Sequence, residues 1–104
     1  MASSAANEPT VYRYWDLSTK HISLEDAGRL ALHEMGCLTV YPYEYGFYVL
    51  VPQDDVDETL DDLADQGFSE ALRIILRRAY EQSVRMVRFD ADGDLVGELE
   101  RFDW

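Results

Sequence analysis

Apolar positions recur along this chain with two different periods, and the switches between them mark its elements. Val11 to Ile22 reads as an extended opening segment, rich in Tyr12, Tyr14 and Trp15. Ser23 then stands as a helix N-cap, with Asp26 three residues on as an acidic variant of the capping box. A helix is expected from Leu24 to Met35, where Leu24, Ala27, Gly28, Ala31 and Met35 share one face and Gly36 supplies a stop. His33 falls on the opposite face, near Asp26 and Arg29. Leu38 to Val51 is strand-like, and Glu44-Tyr45-Gly46 turns it into a hairpin. Pro42 cannot donate to a ladder, so it belongs at an edge or a bulge.

A short helix is expected from Val56 to Gln66 with Gly67 as its stop, and another from Glu70 to Gln82 capped by Ser69. Leu72, Ile75, Leu76 and Ala79 form the apolar stripe of the second, whereas Ile74 falls on its polar side beside Arg77 and Arg78. Val84 to Phe89 and Leu95 to Phe102 read as two further strands joined by an Asp92-Gly93 hairpin turn. The order is strand, helix, two strands, two helices, two strands. It predicts an α+β fold: a mainly antiparallel sheet of about five strands with about three helices packed on one face. Residues 11–104 are expected to form a single domain behind a disordered tail of residues 1–10, which has no apolar run of the kind a signal peptide carries.

Four stretches carry a resemblance: Ser18-Thr19-Lys20-His21-Ile22, Tyr45-Gly46-Phe47-Tyr48-Val49, Phe89-Asp90-Ala91-Asp92-Gly93 and the closing Asp103-Trp104. With these the chain, from about residue 12 to residue 104, resembles a small domain family of unknown function. That family is common on proteobacterial plasmids, phages and other mobile elements, often near anti-restriction genes. The resemblance implies an accessory protein of a mobile element acting against host defence. It brings no catalytic residues with it, and the acidic run described next is not one of its motifs.

Charge changes the picture most. The net charge is −12, and between Asp54 and Asp65 seven acids stand in twelve residues with no base among them: Asp54, Asp55, Asp57, Glu58, Asp61, Asp62 and Asp65. On a helix, Val56, Leu60 and Leu63 make the apolar side and the acids occupy the other. Such a row of carboxylates resembles the charge spacing of a nucleic acid and suits a phosphate-binding groove. A plainer account competes with it. Acids near a helix N-terminus are favoured by the helix dipole, Asp55 and Glu58 suit a capping box, and Arg73, Arg77 and Arg78 follow directly and are placed to neutralise the row. The negative balance itself argues against direct binding to nucleic acid or to an anionic membrane, and favours basic partners.

The remaining chemistry is sparse. Asp90, Asp92, Asp94 and Glu98 fail the EF-hand spacing, since the loop glycine falls on Leu95 and the bidentate glutamate on Arg101. Cys37 is the lone cysteine, which excludes an intrachain disulfide, fits a cytoplasmic protein, and with His21 or His33 gives a weak foothold for nucleophilic chemistry. Tyr12, Tyr14, Trp15, Tyr41, Tyr43, Tyr45, Phe47 and Tyr48 suit cross-strand packing, with Tyr43 and Tyr45 near the turn as interface candidates.

The expectation is therefore a non-enzymatic acidic inhibitor without metal or cofactor. It binds a basic nucleic-acid-binding protein or complex, of anti-CRISPR or anti-restriction type, by DNA mimicry. The partner-binding residues are Asp54, Asp55, Asp57, Glu58, Asp61, Asp62, Asp65, Tyr43 and Tyr45. The alternative is an accessory protein-binding module (immunity protein, antitoxin or small regulator) that uses the aromatic hairpin. A homodimer is a further option, through an edge strand at Leu95–Phe102 or the out-of-pattern Ile74.

Overall fold

The computed structural model describes residues 8–32 and 38–103. Its elements are β1 (Arg13–Ser18), a 3-10 turn (Thr19–His21), α1 (Leu24–Leu32), β2 (Val40–Tyr43), β3 (Gly46–Leu50), α2 (Val56–Asp65), α3 (Glu70–Glu81) and β4 (Val84–Asp90). His33, Met35, Gly36 and Cys37 lie outside the described residues, as do the first seven residues and Trp104.

The four strands form one sheet in the order β1-β4-β3-β2. β2 and β3 are antiparallel around the Glu44-Tyr45 turn, and β3 runs antiparallel to β4, as expected. β1 pairs with β4 in parallel, so the sheet is mixed, with two antiparallel pairings and one parallel among its four strands. The parallel pairing brings the start of the chain beside its last strand and makes β4 interior. That placement explains why Leu95–Phe102 is not a fifth strand. Both edges of β4 are occupied by β1 and β3, so no hairpin partner can lie against it. The Asp90–Gly93 turn does form, with the Gly93 amide donating to the Asp90 carbonyl at 2.9 Å and the Asp92 amide to the Asp90 carboxylate at 2.8 Å. It carries the chain across to the far side of β1, where only Asp94 bridges, in parallel, to Leu17. A Cβ on Gly93 would lie 2.2 Å from the Leu17 carbonyl oxygen, so only glycine passes there.

Alternate strand residues Leu17, Val40, Val49, Val87 and Phe89 join Leu30, Leu63, Leu72, Ile75 and Leu76 of the helices in a core cluster. The helices thus cover one face of the sheet. Gly46 sits where a Cβ would fall 1.7 Å from the Phe89 carbonyl oxygen, so glycine at the start of β3 lets it close on β4. Pro42 lies on β2, an edge strand, where a missing amide costs the ladder least.

The helix starts and stops follow local chemistry. The Ser23 hydroxyl accepts the Asp26 amide at 3.0 Å. The reciprocal half of that box is absent. The buried Asp26 carboxylate instead accepts the Ser69 amide at 3.0 Å and the Ser69 hydroxyl, tying α1 to the start of α3. This turns α1, so that Asp26, Ala27 and Leu30 are buried while Leu24, Gly28 and Ala31 are exposed; the inward face differs from the one the periodicity predicts. α2 ends in a Schellman motif: Phe68 donates to Leu63 and Gly67, at φ +96°, to Ala64, both at 3.0 Å.

Candidate partner-binding surfaces

Val56, Leu60 and Leu63 are buried and seat α2 on the core. Burying a leucine contributes about 1.5–3 kcal/mol, against about 0.2–0.5 kcal/mol lost at each like-charge pair such as Asp57/Asp61. Packing therefore outweighs the repulsion and holds the carboxylates in place. Asp57, Glu58, Asp61, Asp62 and Asp65 lie on the helix and are exposed. Asp54 and Asp55 precede it, with Asp55 in the left-handed region at φ +48°. Its side chain makes no capping bond, so the Asp55–Glu58 box does not form; the residue spends its conformation on the turn into the helix.

Arg77 pairs with Asp57, and that carboxylate holds the guanidinium above its usual range. Arg78 points elsewhere, 3.9 Å from Glu98. Arg73 forms no ion pair among the described residues, and its Nε is buried without a hydrogen-bond partner. Of the seven acids, then, one is neutralised within the chain, and the other six carry no ion pair among the described residues.

The sheet face away from the helices is a second surface. Register places three rows across it: Tyr14, Met86 and Leu50; Asp16, Arg88, Tyr48 and Tyr41; and Ser18, Asp90, Gly46 and Tyr43. Arg88 donates to both Asp16 oxygens, at 2.8 and 3.0 Å, and Asp16 first and Tyr48 second raise its pKa. The Tyr43 ring lies 5.0 Å from that of Tyr48, and its hydroxyl donates to Asp90. Burial first, and then the bond to Asp90, push the Tyr43 phenol up to about 12. The Tyr43 hydroxyl, followed by the Asp92 amide, holds the Asp90 carboxyl below the usual carboxylate range. Two polar pairs, Asp16–Arg88 and Tyr43–Asp90, thus tie β1 and β2 to β4, and the ring contact of Tyr43 with Tyr48 lies between them.

The two hairpin tyrosines differ in their setting. Tyr43 is half-buried with its hydroxyl committed to Asp90. Tyr45 stands exposed, edge-on to Tyr43 at 6.5 Å. Tyr41, at 57% exposure, and Tyr14, at 54%, offer more of this face to a partner. Sequence reasoning did not single out Asp16 or Arg88, and placed Asp90 only beside the Asp92-Gly93 turn. Their period-two alternation with Trp15, Leu17, Val87 and Phe89 was visible, but linking them required the parallel pairing of β1 with β4.

His21 is wholly buried, with both ring nitrogens engaged. Nε2 accepts the Val96 amide at 2.9 Å, which leaves Nδ1 to carry the proton and donate to the Glu100 carbonyl at 2.8 Å. The ring pins the segment after Asp94 and keeps no nitrogen for a metal or a thiol. No group of three or more His, Cys, Asp or Glu among the described residues could hold a metal ion. No described helix is long and apolar enough to cross a membrane.

Fold and surfaces together define a small α+β domain with one helix-covered sheet face, one open face and a carboxylate-bearing helix at its side. The chain belongs to the family of unknown function DUF5983, C-terminal domain, whose model matches residues 14–104. No curated protein and no solved structure matches it.

Proposed function

We propose that this protein is a non-enzymatic inhibitor of mobile-element origin, of the anti-CRISPR or anti-restriction type, and that α2 binds a basic surface on a nucleic-acid-processing host-defence complex. One observation carries the reading: six of the seven carboxylates between Asp54 and Asp65 are exposed without an ion pair among the described residues, although three arginines lie on the next helix. Ten residues of helix extend about 15 Å, so five carboxylates recur about every 3 Å, close to the ~3.4 Å between charges along one DNA strand. A groove that holds phosphates would exchange its counterions for these carboxylates, and nucleic acid would be excluded by charge and by bulk.

The test is the triple variant Asp61→Lys, Asp62→Lys, Asp65→Lys, with its fold checked by circular dichroism. Loss of inhibition and of a steeply salt-sensitive complex is expected. A folded triple variant that inhibits normally would sink the mechanism.

The exposed tyrosines of the open sheet face favour a second reading, an accessory protein-binding module such as an immunity protein, antitoxin or small regulator. Alanine at Tyr41 and Tyr45 distinguishes the two: partner loss there, with no effect from the lysine substitutions, selects the second.

A further inference from the structure

β1 is an edge strand whose outer side is only partly used. The Asp94 amide donates to the Asp16 carbonyl at 3.3 Å, and the Ser18 amide donates to the Asp94 carbonyl at 2.8 Å. Residues 14, 16 and 18 therefore turn their backbone groups outward, and 15 and 17 turn theirs toward β4, the register shifting between Arg13 and Tyr14. The Tyr14 amide, the Tyr14 carbonyl and the Asp16 amide are left without partners among the described residues.

These groups border a cleft of about 550 Å³ between β1, the end of α3 and the segment after Asp94. Trp15, Leu17, Val96 and Leu99 give it an apolar lining, while Asp94 and Glu98 stand against Arg78 among its polar groups. Two independent features thus coincide: a strand edge with vacant donors and acceptors, and an apolar cleft beside it.

We propose that this cleft binds an extended peptide segment of a partner protein, which adds to β1 as a strand. One residue of such a peptide would donate to the Tyr14 carbonyl and accept the Asp16 amide, repeating opposite Trp15 the parallel rung that Asp94 makes opposite Leu17, and the carbonyl two residues before it would accept the Tyr14 amide. An apolar side chain next to it fills the cleft. Lysine or arginine on the peptide meets Asp94 and competes with Arg78 for Glu98, in keeping with a chain of net charge −12. A small molecule would have no need of donors and acceptors spaced along a strand. The site is separate from the α2 carboxylates and does not depend on that reading.

The experiment pans the full chain against a display library of random peptides of about eight residues. An enriched family in which apolar residues alternate with Lys or Arg is expected. A synthetic member should shift the Tyr14 and Asp16 amide resonances. Its affinity should fall about fivefold to tenfold when its backbone is N-methylated at alternate residues, because composition and charge stay while strand donors go. Tyr14→Pro, which removes an outward amide at an edge position, should weaken binding similarly with the melting temperature retained. The absence of an enriched family overturns the proposal, as does a family indifferent to N-methylation. Binding lost on charge reversal of Asp61 and Asp62 but kept in Tyr14→Pro places the peptide on α2 and also overturns it. A dimer in sedimentation equilibrium that Tyr14→Pro abolishes assigns the edge to a second copy, with the same consequence.

Discussion

Tyr43 and Asp90 shift each other's protonation in opposite directions, and the stability they give is bounded on both sides of neutrality. Asp90 is held below its ordinary value, so its contribution is present above the unfolded pKa of about 4 and is lost as pH falls through the folded one. Tyr43 is raised, so its contribution is present below the unfolded value of about 10 and fades as pH climbs toward the folded value. The advantage of wild type over Tyr43→Phe in urea unfolding should be widest between about pH 5 and pH 9 and should narrow at both ends. A gap that kept its size below about pH 4 and above about pH 10 would mean the hydroxyl contributes through packing alone. Gly46 and Gly93 act at the same scale, each marking a place where backbone meets backbone too closely for a side chain. Both lie in the stretches that carry the family resemblance, as does His21. Those three residues are architectural.

Among the elements, α2 and α3 were the most legible in sequence. Val56, Leu60 and Leu63, then Leu72, Ile75, Leu76 and Ala79, keep a helical period, and Gly67 and Ser69 separate them by local rules that need no tertiary context. α1 was read with the wrong face inward, because a polar residue, Asp26, is drawn into the interior by Ser69, forty-three residues away. Periodicity counts apolar side chains and cannot see such a bond. The segment after Asp94 was misread for a related reason. Its alternation suits a strand, yet its fate is set by His21, whose ring takes the Val96 amide and supplies the Glu100 carbonyl. His21→Phe fills the same space without either bond and leaves two backbone groups unpaired, at about 1–3 kcal/mol each. It should lower the unfolding midpoint and speed tryptic cleavage after Arg101; unchanged cleavage would show that Val96 and Leu99 hold the segment by packing alone.

For the whole molecule, the charge balance governs behaviour in solution. With a net charge of −12 and six acids before and along α2 without an ion pair among the described residues, the folded state repels itself, and salt should relieve this. Raising sodium chloride from about 10 mM to about 200 mM should raise the melting temperature by a few degrees, and the Asp61→Lys, Asp62→Lys, Asp65→Lys variant should show much less of the effect. An equal rise in both would trace the effect to other charges. The acidic surface was legible because charge survives any fold. The open sheet face and the cleft beside β1 were not, because both depend on which strand lies next to which.

The placement of β4 has a consequence for how the chain comes into being. The strand at the middle of the sheet is the last one in sequence, and β1, the first, can join β3 only through it. While the protein is being synthesised, β1 and the β2–β3 hairpin emerge with no sheet neighbour in common and with Leu17 and Val49 still uncovered. Assembly waits until residue 90 has left the ribosome, and the contacts formed then span most of the chain. Folding is accordingly slow for a domain of this size, and the nascent chain is most exposed to aggregation and proteolysis just before β4 emerges.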